Sequence, residues 1–388
     1  MTEAVVIDVV RTPLAKGRPG GALHETHPAG LLASTLADLV GRTGIDPALI
    51  DDVIAGCVAQ AGEQAKNIAR NAALTAGFPE SVPGVTVDRQ CGSSQQALHF
   101  AVQGVLSGAY DVVVACGVES MSRVPMRTAL MGQDPYGPGL AARYGGGLVH
   151  QGISAELVAA RWKIAREELD AYAAESHRRA AHATRQGWFA GDLVPNGGSV
   201  DASIRPDTTT ERLAELPPAF YDEAAARRFP EIGWRVTAGN SSTVNDGAAA
   251  ALITSEAAAR RYGLRPRARF RAGTATGDDP LLMLTAVIPA TRKVLDRAGL
   301  TSADIGVFEV NEAFASVVLA WQRETGVDLD RVNVAGGAIA LGHPLGASGT
   351  RLLSSLLGSM ERRDARFGLQ AMCEAGGLAN ATVLELCH

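Results

Sequence analysis

The chain has 388 residues, 46% hydrophobic and 20% charged, an ordinary globular composition with enough apolar mass for a large core or two domains. A net charge of −5 argues against a global attraction to nucleic acid or to an anionic membrane surface. The five cysteines, Cys57, Cys91, Cys116, Cys373 and Cys387, are odd in number, far apart and without C-x-x-C spacing; this disfavours a disulfide framework or a zinc site and fits a reducing cytoplasm.

Residues 4–10 read as a strand, without a charged leader or an apolar stretch long enough to cross a bilayer. The C-terminal Leu386-Cys387-His388 is not a peroxisomal address. The pattern then alternates, with a helix over 31–40, a strand over 52–57 and a helix over 67–76. Residues 85–87 form a β-branched strand that ends at Asp88-Arg89-Gln90-Cys91. The small residues Gly92, Ser93 and Ser94 open a long apolar helix through Leu98, Val102 and Leu106. A cysteine at a helix N-terminus meets unpaired amides and the positive end of the helix dipole, and both favour the nucleophilic thiolate. Read alone, Cys91 is more often a core thiol, since free cysteine is among the most buried residue types.

Residues 111–116 are a continuous apolar strand, as suits a sheet buried on both faces. Residues 119–245 break this grammar. They hold a Gly/Pro-rich stretch at 132–147, a polar helix over 166–186 and a loop-like stretch at 196–210, and read as an inserted loop domain. The α/β alternation resumes with a strand over 248–254 and a helix over 255–262. Residues 1–118 with 246–265 form one half, and 266–388 the other. The halves echo each other: 45–54 parallels 300–308, 85–107 parallels 332–360, and 111–117 parallels 367–376. A unit used twice implies two related sheets packed through helices, so that the loops at equivalent strand ends converge. Those loops carry Cys91, Asn311, His343 and Cys373.

Each loop has a plain reading when taken alone. Asn311-Glu312 at a helix start is commonly capping. His343 stands in a run from Gly336 to Gly349 with room for a ligand around it. Cys373 ends a strand and precedes Gly376-Gly377, and is as easily a core thiol as a site.

Taken together, Cys91-Gly92-Ser93-Ser94, Asn311-Glu312-Ala313-Phe314, Gly342-His343-Pro344-Leu345-Gly346 and Cys373 with Gly376-Gly377 resemble the thiolase family over essentially the whole chain. Glu119-Ser120-Met121-Ser122 and Thr237-Ala238-Gly239-Asn240-Ser241-Ser242 add to the match. The resemblance implies an α/β, five-layer α-β-α-β-α fold of two duplicated βαβαβαββ halves plus the inserted loop domain. It implies an acyltransferase that cleaves 3-ketoacyl-CoA reversibly with coenzyme A. Cys91 would accept the acyl group, His343 would take its proton, and Cys373 would be the acid/base. Asn311, through a water, and His343 would form one oxyanion site; the amides of Cys91 and Ala375 would form the other. Positions similar to the family's CoA-binding residues are His150, Arg205, Ala238, Ser242 and Phe314, and Met283 is similar to an acyl-pocket methionine. Coenzyme A is expected as a substrate, with no metal and no tightly bound cofactor. The family's habit implies a homodimer or homotetramer assembled through the Cys91-bearing half.

The chain departs from the family at several places. The second cysteine loop usually reads Cys-Ile-Gly-Gly-Gly; here it reads Cys373-Glu374-Ala375-Gly376-Gly377. Glu374 facing the site would raise the Cys373 pKa; it is expected to point away. Ala375 narrows the backbone angles open to a glycine. Gln95 replaces a usual leucine and Asp88 a usual asparagine. Gln90, Gln95, Gln151 and the longer loop domain resemble actinobacterial degradative members more than those that synthesise acetoacetyl-CoA. A decarboxylating ketoacyl synthase would pair its cysteine with two histidines, or with histidine and asparagine, and the second cysteine argues against it. A non-catalytic acyl-CoA binder would lack a catalytic residue, and all four are present.

Overall fold

The computed structural model describes residues 3–195 and 200–387; the start of the expected 196–210 loop and His388 lie outside the described residues. The strands are β1 (Ala4–Arg11), β2 (Ala15–Lys16), β3 (Asp52–Gly56), β4 (Gly84–Val87), β5 (Val112–Ser120), β6 (Asn245–Ser255), β7 (Ala268–Gly277), β8 (Val307–Val310), β9 (Phe367–Glu374) and β10 (Leu378–Leu386). The helices of the first half are α1 (Pro28–Thr43), α2 (Ile68–Thr75) and α3 (Ser93–Ser107). Between β5 and β6 come α4 (Gly137–Arg143), α5 (Gln151–Arg161), α6 (Arg166–Arg185), α7 (Thr210–Ala214) and α8 (Glu223–Arg228). The rest are α9 (Glu256–Arg261), α10 (Val287–Ala298), α11 (Ala315–Thr325) and α12 (Ser348–Arg363).

The strands lie in the order β4-β3-β5-β6-β1-β7-β10-β9-β8, with β2 on β6. The duplication is visible in this order. β3 runs parallel to β4 and β5, and β5 turns antiparallel to β6 and then β1. In the second half β8 runs parallel to β9 and bridges Val332 in parallel, and β9 turns antiparallel to β10 and then β7. The halves meet where β1 touches β7 at Val5–Arg269 and Val6–Ala268.

Burial dictates the layers. β5 and β6 are buried along their whole length, so both faces must be covered. One face of the first half packs Val53, Val114 and Leu252 against α1 and α2 through Leu32, Leu36, Ile68 and Ala72. The other packs Val113, Ala115 and Ile253 against Ala97, Leu98 and Val102 of α3 and Leu353, Leu356 and Met360 of α12. The same central layer reaches Val307 and Leu384 of the second half. The outer face of that half packs Phe308, Leu369 and Val383 against Val294 of α10 and Trp321 of α11. The order is helix, sheet, helix, sheet, helix.

Several elements outrun the expected ones for local reasons. α1 starts earlier because His27 Nδ1 accepts from the Ala29 amide and Pro28 suits the first turn, and it ends at Gly44 with φ 68°. β5 continues to Ser120 because β6 pairs with it as far as Asp246.

Candidate active site

The Cys91 loop is a strained elbow. Gln90 has φ 48°, in the left-handed region. Its amide donates to Asp88 Oδ1 at 2.7 Å, and its carbonyl accepts from Ser93 Oγ at 2.6 Å. The elbow sets Cys91 just ahead of α3, whose N-cap is Gly92. Cys91 packs against Leu352 and Met372, with Leu345 beside them. The neighbours of His343 and Cys373 thus reach the same thiol.

Cys373 is buried at the end of β9, and Asn311 Nδ2 lies 4.0 Å from its sulfur. Asn311 follows β8, with its amide on the Ala371 carbonyl at 2.9 Å. Its Oδ1 is buried without a partner.

His343 is fixed from two sides. Its amide donates to Asn245 Oδ1 at 3.1 Å, and Nδ1 lies 2.7 Å from Ser348 Oγ. That hydroxyl donates its own proton to the Pro344 carbonyl at 2.8 Å. It can therefore only accept from the imidazole, which assigns the proton to Nδ1 and leaves Nε2 a base. Nε2 is buried and unpartnered. Burial and the charge of Arg351 push the His343 pKa down to about 3, so the ring is neutral at neutral pH.

Burial also decides the resting state of the thiols, against the expectation from the helix end alone. It pushes the Cys91 pKa well up, with further increments from Cys373 and Glu374 that outweigh the lowering by its own amide. Cys373 is pushed up to about 12 by burial, although Asn311 lowers it. Both rest as thiols, and Cys91 has to hand a proton to a base in order to react.

Two buried carboxylates hold the loops. Glu119 accepts from the amides of Val58, Ala59 and Gly346 at 3.0, 3.0 and 2.9 Å and from Gln64 Nε2 at 2.9 Å. It ties the ends of β3 and β5 to the His343 loop. Glu312 accepts from Tyr172, Ser176, Asn333 and the Ile339 amide at 2.8, 2.7, 3.0 and 3.1 Å, tying α6 to the Asn311 loop. A glutamate inside an apolar run was the available signal for both. Sequence reasoning did not single out Ser348 or Arg351, although Ser348 stands inside the Gly336–Gly349 run.

A cavity of about 520 Å³ opens among Val149, His150, Ile153, Phe220, Tyr221 and Arg228. His150 caps α5 by accepting from the Gly152 amide at 3.1 Å. Its ring lies 5.6 Å from Phe220, and Phe220 lies 5.8 Å from Phe314. An aromatic row so links the cavity to the loop of Asn311. Ala238 is exposed and Ser242 half-buried, on a loop laced to the same region: the Ser242 amide donates to the Ala313 carbonyl at 2.9 Å, and the Ala315 amide to the Asn240 carbonyl at 3.0 Å. Met283 is buried at the centre of a γ-turn with φ 54° and ψ −51°, closed by the Leu284 amide on the Leu282 carbonyl at 2.5 Å. Such a backbone costs on the order of 1–3 kcal/mol and persists where its surroundings fix it. Arg205 stands apart from this cavity, exposed, with its amide on His177 Nδ1 at 3.1 Å.

Ala375 is not among the residues of positive φ; Gly376 and Gly377 take those angles, at 86° and 79°. The alanine therefore adds no strain. Glu374 leaves the Cys373 face, as strand alternation requires, but does not reach solvent: it is fully buried, beside Gly92. Among the described residues no group of three or more His, Cys, Asp or Glu side chains could hold a metal ion, and no helix is long and apolar enough to cross a membrane.

Comparison with known proteins identifies the family. Residues 4–257 match the thiolase N-terminal domain and residues 264–386 the thiolase C-terminal domain. The chain is 47% identical over 394 residues to the steroid 3-ketoacyl-CoA thiolase FadA6 of Mycobacterium tuberculosis, covering 99% of this chain and 94% of that one. It is 43% identical over 399 residues to the 3-ketoacyl-CoA thiolase of Escherichia fergusonii, and equally to that of Shigella sonnei, covering 99% of this chain and 100% of each. With both domain models matched in order and relatives aligned end to end, the chain belongs to the thiolase family, an acyltransferase family.

Proposed function

We propose that the protein cleaves 3-ketoacyl-CoA with coenzyme A, giving acetyl-CoA and a shortened acyl-CoA, in the degradative direction. The observation that carries this is the pair of buried thiols, one packed against Leu345 of the loop that holds neutral His343 and the other with Asn311 Nδ2 4.0 Å from its sulfur. Cys91 gives its proton to His343 Nε2, and its sulfur adds to the 3-keto carbon. The amides of Cys91 and Ala375 on one side, and Asn311 with His343 on the other, serve the two oxyanions. Collapse breaks the C2–C3 bond, and the acetyl-CoA enolate takes the Cys373 proton at C2. The Cys373 thiolate then removes the proton of an incoming coenzyme A thiol. That sulfur attacks the acyl-enzyme, and Cys91 leaves and regains its proton from His343.

His150, Phe220 and Phe314 support a role as walls for the pantetheine arm, with Ser242 and Ala238 lending the polar loop and Met283 the acyl-side wall. Arg205, exposed, suits the nucleotide end. The 119–245 loop domain supplies most of this surface. Coenzyme A enters as substrate, and the scheme needs no tightly bound cofactor. Free thiols suit a reducing cytoplasm.

An isologous homodimer through β4, with the homotetramer as a further step, is supported by the open edge of the sheet there and by the exposure of Val85, Phe100 and Leu106. Sedimentation giving only monomer at low concentration would contradict it.

The test of the activity is a thiolysis panel running from acetoacetyl-CoA to long-chain and ring-bearing 3-ketoacyl-CoA. Loss of the ketoacyl thioester in step with coenzyme A is expected. Condensation that depends on malonyl-CoA, without thiolysis, would sink the proposal.

A further inference from the structure

The inner face of β9 and β10 carries a polar seam against α3. Gln370 and Met372 precede Glu374 on β9, with Thr382, Asn380 and Leu378 opposite on β10. Asn380 Nδ2 donates to Gln96 Oε1 at 3.2 Å. Gln95 Nε2 donates to Thr382 Oγ1 at 2.9 Å, and His99 Nε2 lies 2.8 Å from the same hydroxyl. Glu374, at the end of the seam nearest the thiols, is different. Both carboxylate oxygens are buried and meet no donor at hydrogen-bonding geometry. The carboxylate lies against the N-cap of α3, where a Cβ built on Gly92 would sit 1.8 Å from Glu374 Oε1. Glycine at position 92 is what leaves room for this side chain.

We infer that Glu374 is a positioning residue for the nucleophile, and that its charge governs how readily Cys91 releases its proton. The inference rests on the reading of Cys91 as the acyl acceptor. One helix end offers one positive field, and two anions beside it compete for that field. The charged and titratable groups facing Glu374 are Asp88 and Arg89 on the elbow, Cys91 at its end, and Cys373 next to it in β9; the Asn380 amide faces it from β10. Burial and Asp88 push the Glu374 pKa up to about 8, with Arg89 and Asn380 opposing. Below that pH the carboxyl is neutral and does not oppose a thiolate. Above it the carboxylate raises the Cys91 pKa further and cancels part of the gain that alkaline pH would give. This brake belongs to the glutamate; the isoleucine usual at this position has no charge to supply one.

The experiment is the pH dependence of iodoacetamide alkylation at Cys91, mapped by peptide mass spectrometry on the full chain, for the wild type, Glu374→Gln and Glu374→Ile. At pH 6.5 all three should react within about twofold of each other. At pH 9 both variants should react about tenfold faster than the wild type, one pKa unit of relief. A purely structural role would offset the rates at every pH alike, and that outcome overturns the inference. So does wild-type behaviour at pH 9 in either folded variant. Thiolysis by the same samples separates the two claims: full thiolysis after stoichiometric alkylation of Cys91 would remove the nucleophile assignment itself, whatever Glu374 does.

Discussion

Ser348 does for His343 what a carboxylate does in many catalytic dyads, without a charge. Because its proton is committed to the Pro344 carbonyl, it holds the imidazole in a single tautomer. Ser348→Ala removes that hold and leaves Nδ1 unpaired; kcat for thiolysis should fall about tenfold to a hundredfold, or roughly 1–3 kcal/mol, with KM little changed. Cys373→Ala should still take acetyl slowly from acetyl-CoA onto Cys91: His343 remains to take the Cys91 proton, while the leaving coenzyme A thiolate loses the Cys373 proton. Condensation should fall by about a hundredfold to ten-thousandfold, the usual scale of a lost acid/base. Full condensation by this variant would refute its role. The candidate site residues were readable only together, through the resemblance of their loops, because Cys91, Asn311 and Cys373 each have a plain reading when taken alone. The burial of Glu374 and the resting thiol form of Cys91 were not legible. Both depend on packing contributed by distant chain, and burial overrules the local helix dipole.

At the scale of elements, α3 and α12 nest with almost no room between them. A Cβ on Gly349 would meet the Gln95 backbone nitrogen at 2.2 Å, so glycine is required for the approach. Gly349→Ala should cost about 1–3 kcal/mol of stability, read as a lowered melting temperature. Thiolysis should drop at temperatures where the variant is still folded, because the loops of Cys91 and His343 ride on these helices. The strands of the two halves were legible from apolar runs and their helices from apolar periodicity, whereas α4, α5, α7 and α8 lie in a stretch read as a loop domain and were not. Helix ends were less so: α1 exceeds its apolar stripe because His27, Pro28 and Gly44 set its limits. The Gln95 departure from leucine makes sense only beside Thr382, a partner no local pattern announces.

For the whole molecule, buried titratable groups set opposing pH windows. His343, His99 and His177 are held neutral, with pKa values pushed from 6.5 down to about 3, about 4 and about 4 by burial. The unfolded chain binds these protons first, so stability falls as pH drops below 6.5. Glu309 and Glu374 are pushed from 4.5 up to about 8 by burial. Their stabilisation relative to the unfolded chain is complete below 4.5 and is lost as pH rises through about 8. The melting temperature should therefore peak at about pH 6. A maximum above pH 8 would contradict this. The duplication was legible as repeated sequence, and the structure adds how the copies join.

That join is slight in its strands, two residue pairs between β1 and β7, and substantial in its helices. Cys91 stands on one side of it and Cys373 on the other. The gap between the two sulfurs is thus measured out by nested helices, much as a gauge block sets the jaws of a caliper. No excised loop, grafted motif or isolated half could reproduce that spacing. Hydrostatic pressure, which closes packing voids and spares covalent bonds, should change the rate by changing the setting of the caliper.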